Sequence, residues 1–282
     1  MIFIKSFYQK PFKECNEWLS GYTALSTSTQ IQGINVSMFR FDEDFLQKTK
    51  NAIDNALAEG AEPIAAFDAD GTLWATDMGE NFYKYQFHNE LLQGLPEKPW
   101  EYYVDLHARE PETSYLWLAQ INKGHPLEQV RKWARETVHT HPDIMTFAGQ
   151  KEIIKHLHLR KVKVYVVTAS IKWSVEPAAA LYNIPQENVI GVQTKIIDGN
   201  VSSEQEGPIT YKEGKVKGLL AATGGKYPFY AAGNSHGDLP LLESATHLRM
   251  VLNSATQDNP LFETERKMIE LAKERGWLHY SF

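Results

Sequence analysis

Asp68 and Asp70 stand two residues apart in Phe67-Asp68-Ala69-Asp70-Gly71-Thr72-Leu73-Trp74, directly behind the apolar run Pro63 to Phe67. A short apolar run between breakers reads as a buried parallel strand, and open α/β sheets bind ligands just beyond the carboxyl ends of their strands. With Gly71 letting the chain turn away, Asp68 can face a substrate phosphorus while Asp70 reaches the leaving-group oxygen. A carboxylate can serve as a covalent nucleophile toward phosphorus, and a neighbouring acid can give up and recover a proton. The same string also fits a strand followed by an Asx turn, which uses Asp and Gly just as freely.

Three more segments bear on that choice. Thr168, in Val166-Val167-Thr168-Ala169-Ser170, closes a second apolar run with a hydroxyl that can donate to a phosphoryl oxygen. Lys215, in Glu213-Gly214-Lys215-Val216, starts a helical stretch, so its ammonium and the positive helix end can both face an anion. A solvated lysine is the plainer reading, with Lys217 beside it as the alternative cation. Gly233-Asn234-Ser235-His236-Gly237-Asp238 follows the apolar run Phe229 to Ala232 and carries oxygen donors of the kind magnesium prefers. His236 is a further candidate for touching substrate or the Asp238 network, although a loop histidine is usually solvated.

The elements that must position these residues follow from periodicity and breakers. Apolar spacing from Asp44 onward predicts a helix that Gly60 stops. Strands are expected over 63–67, 162–167, 229–232 and 248–252, with helices over 174–182, 215–222 and 239–243. A hairpin is expected around Asp198-Gly199-Asn200. Residues 76–150 lack strand runs and break at Gly94-Leu95-Pro96, Gly124-His125-Pro126 and His141-Pro142, which predicts a helical insert of three or four pieces. Strands alternating with helices imply a Rossmann-like parallel α/β sheet with right-handed crossovers.

Taken together, the four segments resemble the haloacid dehalogenase superfamily of phosphatases, over about residues 45–280. The resemblance implies Asp68 as nucleophile, Asp70 as general acid and base, Thr168 in phosphate hydrogen bonding and Lys215 in charge neutralisation. It places Ala169 and Ser170 beside the substrate and implies Mg²⁺ held by Asp68, Asp70 (through its main-chain carbonyl) and Asn234, with Asp238 in support. The first position of the fourth motif is more often Asp. Asn234 removes a negative charge there, which implies weaker magnesium binding and predicts that Asn234→Asp tightens it.

The expected organisation is an N-terminal extension over 1–43, a catalytic core over 44–75 and 151–282, and a helical cap over 76–150. The insert is similar to the cap of the phosphoserine-phosphatase-like branch, in which an early carboxylate meets the substrate amine; Asp77 and Glu80 occupy that place, or are ordinary first-turn acids. The cap is rich in aromatics, among them Phe82, Tyr83, Trp100, Tyr115 and Trp117. Most are expected to be core, and two or three beside Asp77 or Glu80 would cage a quaternary ammonium. Phosphocholine is the preferred substrate, ahead of phosphoserine and phosphoethanolamine. A phosphotransferase using the same intermediate and a non-catalytic phosphoester-binding protein are the rival readings.

Composition bounds the rest. With 282 residues, 43% hydrophobic and 23% charged, the chain is ordinary globular material for one large domain or one with an insert. Its net charge of -6 offers no basic field for nucleic acid. Cys15 is the only cysteine, and the Met1 to Ile4 run is too short for a signal sequence, so a cytoplasmic protein without membrane attachment is expected. His139-Thr140-His141 lacks Cys or acidic neighbours and is not taken as a metal site.

Overall fold

The computed structural model describes residues 39–140 and 146–282. Most of the expected extension over 1–43, Cys15 and His141 lie outside the described residues. A seven-stranded sheet has the order β4-β3-β2-β1-β5-β6-β7, with β1 Ile64–Phe67, β2 Lys163–Ile171, β3 Val189–Ile197, β4 Asn200–Glu206, β5 Tyr230–Gly233, β6 Leu248–Asn253 and β7 Leu278–Ser281. All neighbours run parallel except β3 and β4, which form the antiparallel hairpin around Asp198-Gly199.

β1 is central because every one of its residues is buried and apolar, as a strand covered on both faces requires. Its side chains alternate: Ala65 and Phe67 join Val164, Val166, Tyr230 and Met250 on one face, while Ile64 and Ala66 join Tyr165, Val167, Ala231 and Val251 on the other. Helices α1 Glu43–Ala58, α6 Ala148–Leu159 and α7 Lys172–Ala179 pack on the first face; α8 Glu213–Thr223, α9 Leu239–Ser244 and α10 Phe262–Glu274 cover the second. The chain leaves β1 toward β2 on one side and finds β5 on the other. The sheet therefore has its switch point at the carboxyl end of β1, directly before Asp68.

Between β1 and β2 come α2 Met78–His88, α3 Pro99–Arg109, α4 Pro111–Gln120 and α5 Leu127–Thr140, four helices with breaks where Gly and Pro punctuate the sequence. They share an apolar cluster in which Phe82, Tyr83, Tyr103, Leu118, Val130 and Trp133 pack with Ile171, Trp173, Val192 and Val201. Asp42 caps α1 by accepting from the Phe45 N–H at 2.7 Å, and Asp77 caps α2 by accepting from the Glu80 N–H at 2.8 Å.

Three expectations are corrected. Thr168 does not end β2: the strand runs on to Ile171, and its pairing with β3 shifts register between Val167 and Ile171. The helix expected over 174–182 starts at Lys172 and tightens to a 3₁₀ turn over Ala180–Tyr182, just after Pro177. Beyond β6 the structure adds α10 and β7, for which no elements were expected.

Candidate active site

Asp68 is the first residue past β1, its N–H bonded to the Ala232 carbonyl of β5 at 2.9 Å, and is 6% exposed. Lys215 Nζ donates to Asp68 Oδ1 at 2.5 Å, to Asp238 Oδ1 at 2.6 Å and to the Val167 carbonyl at 2.9 Å. The lysine is buried, whereas Lys217, two residues on, is exposed. Thr72 Oγ1 donates to Asp68 Oδ2 at 3.0 Å, so both Asp68 oxygens have fixed partners.

Two carboxylates thus share one ammonium in a dry setting. Burial pushes Asp68 up to about 7, with Asp238 adding to the rise and Lys215 opposing it. Burial alone would lower Lys215, but the carboxylates of Asp238 and Asp68 outweigh it, and the ammonium stays protonated.

Asp70 faces the other way. Its Oδ1 accepts from Trp74 Nε1 at 2.7 Å and from the Met78 N–H at 2.9 Å; Oδ2 lies 2.7 Å from the Ser170 hydroxyl. Burial raises its carboxyl, opposed first by Ser170. Since a hydroxyl can donate or accept, this geometry accommodates Asp70 with or without its proton. Ser170 therefore meets Asp70, and its N–H is bonded to Thr168 Oγ1 at 3.0 Å. Thr168 is buried with its hydroxyl proton still available, and Ala169 is half-buried beside it.

In the fourth segment Asp238 Oδ2 accepts from the N–H groups of Asn234 and Ser235, at 3.2 and 2.9 Å, and from Ser235 Oγ at 2.8 Å. With Lys215 on Oδ1, both Asp238 oxygens are engaged. Asn234 Oδ1 sits 3.4 Å from Thr72 Oγ1, so the amide oxygen and the Asp68 carboxylate converge on one hydroxyl. The amide lies against Gly71, where a Cβ would stand 2.0 Å from Nδ2; Gly71 also takes φ 81°, so no other residue fits there. Among the described residues no three His, Cys, Asp or Glu side chains form a ready metal cage. The donors that do converge are all oxygens, and the carboxylates of Asp68, Asp70 and Asp238 outnumber the one ammonium; this set fits a hard divalent cation.

The helical side is less fixed. Asp77 is exposed in the cleft but flanked by protein; that enclosure, and then the carboxylates of Asp70 and Glu80, hold its carboxyl well above the usual range. Glu80 pairs with Lys84 at 3.2 Å, and Lys84 also lies 4.5 Å over the Trp100 ring. Tyr115 lies near the same carboxylates: burial raises its phenol, and Asp77, Tyr211, Asp238 and Asp68 raise it further. Its ring meets Tyr211 at 5.6 Å and His107 at 5.2 Å.

Tyr211, Thr72 and Glu265 had no assigned role from sequence. Tyr211 lies outside the helical insert and Glu265 outside the four segments, whereas Thr72 stands inside the first of them, four residues past Asp68. His236 does not join the Asp238 network; its Nδ1 is 2.9 Å from Met268 Sδ on α10.

The model of the haloacid dehalogenase-like hydrolase family matches residues 65–243, more than half of the chain and all four segments. The chain belongs to this family. It is also similar to phosphorylcholine phosphatase of Pseudomonas aeruginosa, 27% identical over 185 residues, which are 51% of this chain and 52% of that protein. The chain thus matches about half the length of that curated relative. Among solved structures, a Bordetella pertussis Tohama I protein of unknown function superposes with a TM-score of 0.62 at 19% identity, over 77% of this chain and 96% of that one. A phosphoserine phosphohydrolase-like protein from Francisella tularensis gives 0.50 at 19% identity, over 77% and 94%. These two similarities concern the fold, which is that of haloacid dehalogenase-like hydrolases. No helix among the described residues is long and apolar enough to cross a membrane.

Proposed function

We propose that this chain hydrolyses a small phosphate monoester through a phosphorylated Asp68. The observation that carries the reading is the buried Asp68 carboxylate held between Lys215 and Thr72 at the sheet's switch point. In the first half-reaction an Asp68 oxygen bonds to phosphorus, the bond to the leaving oxygen breaks, and Asp70 delivers its proton to that oxygen. In the second, Asp70 takes a proton from water, the water oxygen bonds to phosphorus and the Asp68–phosphorus bond breaks. Inorganic phosphate leaves and both carboxyls return to their starting states. Thr168 and Lys215 hold the equatorial oxygens.

Magnesium would be held by the Asp68 carboxylate, the Asp70 main-chain carbonyl and Asn234 Oδ1, and when bound it withdraws charge from the phosphoryl group. Asp238, with both oxygens engaged, positions Lys215 and the loop. We take residues 76–150 as the cap and the substrate as an ammonium-bearing monoester, with phosphocholine first. Glu80 and Asp77 face the ammonium, which would draw the raised Asp77 carboxyl back to its charged form, and Tyr115 and Tyr211 supply aromatic faces. The name of the Pseudomonas aeruginosa relative supports this choice.

A phosphate-release screen of monoesters with magnesium tests the reading. Turnover of p-nitrophenyl phosphate that chelator abolishes is expected. Binding without turnover would make the chain a phosphoester-binding protein, and transfer to an added alcohol in place of water would make it a phosphotransferase.

A further inference from the structure

Glu265 lies on α10, 31 residues beyond Asn234, and is 1% exposed. Its Oε1 accepts from Asn234 Nδ2 at 2.8 Å, and its Oε2 accepts from the N–H groups of Ser254 and Ala255, both at 2.8 Å. Three N–H donors surround the carboxylate, and among the described residues it forms no ion pair. Burial raises the Glu265 carboxyl, and the hydrogen bonds from Asn234, Ala255 and Ser254 oppose the rise by favouring the charged form.

We propose that Glu265 is a positioning residue for the cation site: it fixes the Asn234 amide with its oxygen toward Asp68 and supplies, one residue further out, the negative charge that Asn234 lacks. This rests on the reading that a divalent cation binds between Asp68 and Asn234. The logic is one of donors and acceptors. An amide can turn over and exchange its oxygen for its NH₂ group with little change in shape. A carboxylate only accepts, so the NH₂ must face Glu265 and the oxygen must face Thr72 and the cation site. Partners behind the ligands commonly set ligand orientation in metal sites in this way.

The expectation that Asn234→Asp simply tightens magnesium binding omitted this partner. Asp at 234 would meet Glu265 as acceptor against acceptor, with no hydrogen between them. In Glu265→Gln the single amide oxygen goes to Ser254 and Ala255, leaving its NH₂ against that of Asn234. Asn234 relieves the clash by turning over, which points hydrogens at the cation site. The double variant Asn234→Asp/Glu265→Gln exchanges the two roles: the glutamine NH₂ donates to the new carboxylate, whose other oxygen faces the cation.

Calorimetric titration of the full chain with magnesium chloride alone, without substrate, tests this, with thermal melts checking folding. Glu265→Gln should bind at least tenfold more weakly than wild type, Asn234→Asp no more tightly than wild type, and the double variant within threefold of wild type or tighter. Such strong non-additivity marks direct coupling. Wild-type affinity in Glu265→Gln, or a double variant as weak as the two losses combined, would overturn the proposal while leaving the cation site standing. A wild type that binds no magnesium would overturn the site and the proposal together. If Glu265→Gln does not fold, the double variant should, and a tenfold tighter Asn234→Asp would refute the idea.

Discussion

The floor and the roof of the cleft are built on opposite rules. On the floor Asp68, Lys215, Asn234, Asp238 and Glu265 are each no more than 6% exposed, and every one has specific hydrogen-bond partners, drawn from the ends of β1, β5 and β6, from β2, and from α8 and α10. On the roof Asp77 is exposed though flanked by protein, Glu80 is 20% exposed in its side chain, the two acids bond only within α2 in the contacts described above, and the Tyr115 and Tyr211 rings meet. Fixed, buried dipoles and charges are what a reaction centre needs, because they are not reoriented during the reaction. Rings and half-exposed acids adapt to a leaving group. On the function proposed above, the floor would carry the chemistry and the roof the choice of substrate.

The largest effect should come from breaking the floor. Asp68→Asn keeps the shape and removes the proposed nucleophile, so phosphate release should fall at least ~10³-fold on every monoester, with the circular dichroism spectrum unchanged. Lys215→Met should lose activity and fold together, since two buried carboxylates lose their shared cation; such a loss costs about 3–5 kcal/mol, read as an earlier denaturation midpoint. Near-normal stability would mean Asp68 and Asp238 do not depend on Lys215.

Next in size is the roof. Asp77→Asn retains a side chain able to cap α2 while removing the charge. Efficiency on choline phosphate should drop about tenfold and on p-nitrophenyl phosphate less than about threefold, because only recognition of the leaving group is lost. Glu80→Gln should act in the same direction, more weakly, as Lys84 already shares its charge. Parallel losses on both substrates would erase the distinction between floor and roof.

A smaller signature is the response of the metal-free floor to pH. Asp68 is raised from about 4 in the unfolded chain to about 7 when folded, so the native state binds the extra proton between those values. Its contribution is therefore lost as pH rises through 7, and the chelated protein should melt at lower temperature at pH 8 than at pH 6. Added magnesium should raise the melting temperature more at pH 8, where no proton competes for Asp68. An equal rise at both values would detach Asp68 from the metal.

The floor was largely readable in the sequence because its residues follow strands directly, and an apolar run followed by Asp, Thr or Asn marks a strand end whatever lies beside it. Helix breaks over 76–150 were readable for the same reason: Gly and Pro act locally. Glu265 was not, because its role depends on α10 folding back against Asn234, and one glutamate on an amphipathic helix resembles any surface acid. The Tyr211 contact with Tyr115 was not readable either, because Tyr211 lies outside the helical insert and meets it only through the fold. The Ser170 contact with Asp70 is likewise hidden from the sequence, because it follows from β2 continuing to Ile171.

The smallest predicted effect is a control placed outside both halves. Asp54 on α1 accepts from Arg160 at 2.7 and 2.8 Å and lies 2.8 Å from His156 Nε2, joining α1 to the end of α6 on the side of the sheet away from α8. The Arg160 hydrogen bonds, aided by His156, hold the Asp54 carboxyl below its usual value. A lowered carboxyl stabilises the fold above its unfolded value, near 4, and that contribution disappears as pH falls through the lower folded value. With the Asp54 side chain 36% exposed, solvent screens the pair, so Asp54→Asn should lower the melting temperature at pH 7 by about 2 °C or less and by nothing measurable near pH 2. Activity at 25 °C should stay at wild type for all monoesters, which is what separates this change from Asp77→Asn. If Asp54→Asn instead altered the preference for choline phosphate, selectivity would be spread through the stability of the whole sheet, and the roof would lose its claim to it.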